Sequence, residues 1–284
     1  MAVQSILVGM DWGEATGALA SVAPDLAVAL GATIQAVYVE DVELIRATRM
    51  PPVPLLPPMG AIPFDTTSTA ELEAKFKREE SRLGKLFVQL VADTRIKGSF
   101  LVERGDVSEI LVRESRAHDL LILGRFSEKA TEAATLGAHV ERIVRKAYCP
   151  VLLVPPSCQL GERFLVAYDG SAGAHHALAF AVRLARATEA RVSVVSIANE
   201  ESRRHLLEEA EAYLANHGCI GKMIGRQGDP SEQILAEIRG GEYSLLAMGA
   251  YGRSRLKEFF GATATHELLR RAPCATLVVG PMED

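Results

Sequence analysis

Two glycines and two threonines near the carboxyl end of the chain have the spacing of a phosphate cradle. Gly249-Ala-Tyr-Gly252 is followed, nine residues on, by Ala262-Thr263-Ala264-Thr265. Glycines let backbone N–H groups approach oxygen ligands closely, and threonine hydroxyls opening a helix add donors where the helix dipole favours negative charge. Arg253, Arg255 and Lys257 lie between them and supply counter-charge. Asp169 and Ile197 each close an apolar run, so a parallel sheet would bring both to the crevice outside its strand ends, where open α/β sheets bind ligands. The chemistry open to such a set is holding a polyphosphate. There is no Walker loop, no G-x-G-x-x-G after a first strand, no G-x-S-x-G elbow and no histidine paired with a nucleophile, so no catalytic residue is assigned. The four cysteines, Cys149, Cys158, Cys219 and Cys274, are too far apart for a zinc site or a disulfide framework and read as inert thiols.

The cradle belongs to the second of two copies. The stretch from Asp119-Leu-Leu-Ile-Leu-Gly124 to Ala147-Tyr-Cys149 realigns without a gap, 125 residues later, onto Ser244-Leu-Leu-Ala-Met-Gly249 to Ala272-Pro-Cys274. A fixed-period repeat of this kind marks two copies of one unit. The first copy carries Ser127, Glu128, Glu132, Ala138 and Val140 where the second carries Gly252, Arg253, Lys257, Thr263 and Thr265. Residues 128–134 hold one Lys against two Glu, whereas residues 253–259 hold two Arg and one Lys against one Glu. Only the second copy is built for an anion, and the first is expected to hold little or nothing.

The elements that must position these residues follow from the apolar runs. Ser5–Gly9, Thr33–Val39, Gly98–Glu103, Asp119–Leu123 and Val151–Val154 read as strands separated by helices at Ala15–Leu30, at Thr69–Ala92 and after Asp106. The second half repeats the order with strands at Phe164–Tyr168, Arg191–Ala198, from Met223, Leu245–Met248 and Thr276–Val279. Its helices read at Ala172–Ala187, Glu200–Asn216 and from Pro230, where Asp229 is a cap and Pro230 fits the first turn. Apolar runs without alternation, separated by helices, describe parallel strands covered on both faces. The fold class is therefore α/β, as two tandem doubly wound domains, each a five-stranded parallel sheet: residues 1–156 and 162–284. Six prolines between Pro51 and Pro63 predict an exposed excursion over about 42–67. The adjacent pair His175-His176 reads as surface imidazole.

At 284 residues and a net charge of −5 the chain suits two ordinary globular units. It lacks the basic, aromatic-interleaved stripe of a nucleic acid binder. No apolar run is long enough to span a bilayer, and Met1-Ala-Val-Gln-Ser5 leads into a strand without a basic leader, so no membrane insertion and a cytoplasmic location are expected.

The sequence resembles the universal stress protein family, whose ATP-binding members carry a loop of the form G-x2-G-x9-G-[ST] after the fourth strand. Here Ala262 replaces the last glycine; the resemblance also takes in Asp169, the Gly228-Asp-Pro230 turn and Ala272-Pro-Cys274. It implies ATP, with Mg2+, as the ligand of the second domain. Asp169 would contact the adenosine end and Ile197 would give backbone contacts to adenine, while Gly249, Gly252, Arg253, Ala262, Thr263, Ala264 and Thr265 would surround ribose and phosphates. It further implies that the fifth strands meet across a pseudo-twofold axis as an internal dimer; association of two chains stays open. The function implied is a nucleotide-responsive stress protein. Two alternatives stand beside it: a ligand-independent scaffold whose proline segment or fifth-strand edges recruit partners, and a slow ATPase. Taken singly, each feature also has a structural reading: the glycines as a turn, the basic residues as a solvated helix face, and Asp169 as a cap.

Overall fold

The computed structural model describes residues 3–49, 68–125, 138–249 and 262–280. Among these residues ten strands form one continuous sheet. The first half supplies β1 (Ser5–Met10), β2 (Thr33–Asp41), β3 (Gly98–Gly105), β4 (Leu120–Gly124) and β5 (Val151–Val154). The second half supplies β6 (Arg163–Ala167), β7 (Arg191–Ile197), β8 (Met223–Arg226), β9 (Leu245–Gly249) and β10 (Ala275–Val279). Their spatial order is β3-β2-β1-β4-β5-β10-β9-β6-β7-β8, so each half has the same doubly wound order. Every pairing within a half is parallel.

The halves join where β5 and β10 pair antiparallel, with Leu152 opposite Leu277. Both strands are wholly buried, which is why they read as unbroken apolar runs. They are therefore not free edges: the outer strands of the whole sheet are β3 and β8. An unpaired apolar strand would expose a row of N–H and C=O groups, and the antiparallel join removes that liability from both copies at once.

Helices α1 (Thr16–Leu30), α3 (Thr69–Thr94), α6 (Ala172–Thr188) and α7 (Glu200–Asn216) cover one face of the sheet. Their buried side chains make one core that runs through both halves, from Leu19 and Leu26 on α1 to Leu178 and Leu184 on α6. On the other face α4 (Val107–Glu114) and α5 (Ala138–Lys146) pack on the first half, and α8 (Pro230–Gly241) and α9 (Ala262–Arg271) on the second. The helix starts are set locally. Ser68 and Glu71 form a reciprocal capping box on α3, and Asp229 accepts the Glu232 N–H with Pro230 in the first turn of α8.

One element departs from the sequence reading. The excursion expected from residue 42 begins instead with a helix, α2 (Val42–Arg49), and only 50–67 lie outside the described residues. Asp41 accepts the Glu43 N–H at 2.9 Å, and Ile45 is buried in the core shared with α3. The first proline of the cluster is Pro51, so the eight residues of α2 lie ahead of its backbone restriction and can form two turns.

Candidate functional site

The sheet order puts the predicted site residues side by side. In the second half the chain winds from β6 outward through β7 to β8, then returns to lay β9 on the other side of β6. The gap between β6 and β9 is thus a topological switch point, where the two following segments diverge and leave a crevice. Asp169 follows β6, Gly249 ends β9 and Ile197 ends β7, so all three stand at the same carboxyl edge. With neighbouring strands about 4.8 Å apart, Gly249 and Ile197 flank Asp169 across about 10 Å, the breadth of a nucleoside.

Asp169 holds its own loop. Its Oδ1 accepts the Ser171 N–H at 3.0 Å, Gly170 turns through φ +74°, and the Ser171 hydroxyl oxygen caps α6 by accepting the Ala174 N–H at 3.1 Å. The cap of α6 is therefore Ser171 and not Asp169, which shapes the turn ahead of it. Ile197 is 3% exposed, its side chain packed in the core beneath α8, so only its backbone can meet a ligand. Its neighbour Ser196 is completely buried, with an Oγ that has no hydrogen-bond partner. An orphaned buried hydroxyl is unusual and costs the desolvation of that group unless water or a ligand reaches it.

Gly249 serves packing as well as access. A Cβ there would lie 2.5 Å from the Gly173 carbonyl carbon and 2.6 Å from the Ala174 nitrogen, so the first turn of α6 sits directly on this glycine. Ala262, Thr263, Ala264 and Thr265 form the first turn of α9, as the spacing requires, and no acidic residue stands in that turn. Its amide groups and dipole are thus left favourable to an anion. Thr265 is itself 1% exposed, a buried hydroxyl lining the inner side of that turn. Gly252 and Arg253, with Arg255 and Lys257, lie outside the described residues. In the first half the corresponding helix, α5, opens with Ala138 and Val140 and carries Glu141 in its first turn.

Nearly all of the chain matches one family model, described as the universal stress protein family, at residues 2–155 and again at 161–280. The chain belongs to the universal stress protein family. A universal stress protein of Synechocystis sp. is 28% identical over 170 residues, which are 56% of this chain and 57% of that protein. The match thus spans little more than half of that relative's length. The universal stress protein YxiE of Bacillus subtilis is 27% identical over 145 residues, covering 42% of this chain and 98% of the relative. Among solved structures, a universal stress protein from Archaeoglobus fulgidus superposes with a TM-score of 0.75 at 17% identity, over 99% of both chains. That likeness supports the fold of the whole chain, both halves included.

Two clusters follow from no sequence pattern, one beside the crevice and one at the join between the halves. His175 is not a simple surface imidazole. Its Nδ1 lies 2.8 Å from the Ser171 carbonyl oxygen and its Nε2 2.8 Å from both the Tyr168 hydroxyl and Glu209 Oε1. Burial disfavours the imidazolium, but the Ser171 carbonyl and the Glu209 carboxylate outweigh it and raise the His175 pKa. The hydrogen bond from His175 lowers that of Glu209 in turn. Tyr168, 1% exposed and next to Asp169, has its hydroxyl pKa raised, by burial first and then by the Glu209 charge. No spacing rule links residues 168, 175 and 209; only the packing of α7 beside α6 brings them together.

The second cluster surrounds Arg125, the residue after β4. It is 2% exposed and crosses to the other half, where it donates to the Ala272 carbonyl, to the Cys274 carbonyl at 2.5 Å and to the Thr276 hydroxyl at 2.9 Å. The gapless repeat alignment places Ala250 at the equivalent position of the second copy. The cation next to the first loop is therefore turned away from its own crevice and spent on the join between the copies.

Proposed function

We propose that this universal stress protein binds an adenine nucleotide, ATP, in a second unit spanning 162–284, and that occupancy of that site is the signal it passes to partners in the cytoplasm. The observation that carries the reading is the convergence of Asp169, the Ile197 backbone and Gly249 at the β6/β9 switch point, facing the acid-free first turn of α9. Asp169 would accept from the sugar hydroxyls or adenosine amine. Backbone amides of the 249–252 loop and of Ala262–Thr265 would donate to phosphate oxygens, with Arg253 as counter-charge. The buried Ser196 hydroxyl supplies one more polar atom at the same edge in need of a partner.

Among the described residues no group of three or more His, Cys, Asp or Glu could hold a metal ion. In this reading Mg2+ would arrive with the nucleotide, held by phosphates and water as is usual for this ion. Ala262 in place of glycine adopts ordinary helix in α9, so the substitution is compatible with the cradle. A first unit spanning 1–156 would act as the structural partner, making the chain an internal dimer through β5 and β10.

The scaffold reading loses one of its two surfaces, because the fifth-strand edges are consumed by pairing with each other. Slow hydrolysis would need a group to position water, and measured turnover abolished by Asp169→Ala would favour that reading. The test is mass spectrometry of small molecules released from denatured, freshly purified protein. An adenine nucleotide at up to one equivalent per chain is expected; no retained nucleotide, together with no uptake of added ATP, rejects the reading.

A further inference from the structure

The crevice of the first half is not closed up. It is a cavity of about 230 Å3 at the carboxyl ends of β1, β2 and β4, bounded by α3 on one side and α5 on the other. This is somewhat smaller than a drug-sized site and suited to a compact organic molecule. Much of its wall is apolar, and Phe76 (3% exposed) and Trp12 (38% exposed) are among the residues that line it. The Arg82 guanidinium already lies 5.2 Å from the centre of the Trp12 ring, so that ring accepts cations.

The polar part of the lining has the wrong sign for phosphate. Among the described residues three carboxylates, Asp11, Asp41 and Glu79, and one ammonium, Lys75, border the cavity. Lys75 stands 3.5 Å from Glu79, which also accepts the Tyr38 hydroxyl at 2.7 Å. His139 Nε2 lies 3.8 Å from Asp41 Oδ2, and its other nitrogen is 3.0 Å from the Ser108 hydroxyl. Ala138 and Val140 stand where the other copy has threonines, Glu141 occupies the first turn of α5, and Arg125 points into the second half. Against its twin this crevice thus loses two threonine hydroxyls and, with Glu128 and Glu132 in place of Arg253 and Lys257, exchanges two positive charges for negative ones, while His139 stands where the twin has Ala264.

From these observations we infer that the first-half cavity binds a small organic cation: a protonated amine on a flat apolar body. The body lies against Phe76 and Trp12, and the ammonium faces Asp11 and Asp41. This is a different ligand class from that of the second unit, and the two sites are chemically separate.

Trp12 is the only tryptophan in the chain, so its emission reports this cavity alone. The experiment titrates the whole protein with phenethylamine, with 3-phenylpropanoate as an anion of similar size, and with AMP. The amine is expected to change Trp12 emission saturably, with the anion and AMP at least tenfold weaker. Asp11→Asn, nearly isosteric, should weaken the amine at least tenfold with the far-ultraviolet circular dichroism unchanged. Should that variant fail to fold, Asp41→Asn is read in the same way. An amine that gives no saturable change, an anion that binds equally well, or folded Asn variants with undiminished affinity would overturn the assignment. Nucleotide bound in the second unit leaves Trp12 silent, so failure of one proposal is distinguishable from failure of the other.

Discussion

Truncating Arg125 should loosen the join between the two copies, and its cost can be worked from the contacts. The guanidinium is buried, has no carboxylate among its partners, and its Nε is without a hydrogen bond. Desolvation pulls its pKa down from 12.5 to about 10. That depression corresponds to about 3 kcal/mol opposing the charged form. Because the folded value is the lowered one, the penalty is fully present at neutral pH and is relieved only as pH rises above 10. Against it stand three charge-assisted hydrogen bonds, to Ala272, Cys274 and Thr276, each contributing about 1.5–3 kcal/mol. The bonds win by a few kcal/mol. Arg125→Ala removes them, strands three acceptors and leaves a void, so a loss of about 3–5 kcal/mol is expected from urea denaturation at neutral pH. Arg125→Met refills most of the volume and removes the buried charge, and should lose no more than about half as much. An alanine variant within about 0.5 kcal/mol of the parent, or a methionine variant more stable than the parent, would refute the balance of terms just given, the latter by showing that desolvation outweighs the bonds.

Three further outcomes follow from the same contacts. Gly249→Ala drives a Cβ to 2.5 Å from the α6 backbone, which cannot yield as a side chain tip would, and should cost about 1–3 kcal/mol in thermal denaturation without any ligand present; an unchanged melting temperature would show that α6 shifts freely. The His175–Glu209 pair gives stability that is fully present below pH 6.5 and is lost as pH rises through the raised folded pKa of His175, while the Glu209 share is lost at the acid end as pH falls through its lowered value. With both side chains about two-fifths exposed, water screens the pair and the swing should be no more than about 1 kcal/mol. Urea midpoints for the parent and His175→Asn should therefore converge at alkaline pH, and a gap that widened there would contradict the assigned sign. Burial pushes the Cys149 and Cys274 thiols up to about 12 and also raises Cys158, whereas Cys219 is only half-buried. One of the four cysteines should react quickly with a thiol reagent in the native protein, and Cys219→Ser should abolish that fast phase.

The strands were legible because a parallel strand covered on both faces has no polar positions to keep: Leu120–Leu123 and Val151–Val154 are unbroken apolar runs ended by glycine or proline. The switch-point residues Asp169 and Gly249 could be placed for the same reason, since each closes such a run. What local pattern does not carry is contact between distant segments. Arg125 meets Cys274 across 149 residues of sequence, and His175 meets Glu209 across 34, with no periodicity connecting either pair. Gly249 was expected to be glycine for the sake of a ligand, and the α6 backbone resting on it supplies a second reason visible only in three dimensions. At α2 the prolines restrict only the chain from about residue 50 on, while ahead of them Asp41 accepts the Glu43 N–H and Ile45 is buried, contacts that no local pattern carries.

Calorimetric titration of Mg-ATP into the parent protein, Gly252→Trp and Ser127→Trp tests the account most directly, since residues 252 and 127 are the equivalent loop positions of the two copies. One nucleotide per chain is expected for the parent and for Ser127→Trp, and none for Gly252→Trp. Uptake that survives tryptophan at 252, or that disappears with tryptophan at 127, would put the nucleotide in the wrong half and contradict the division of labour between the copies.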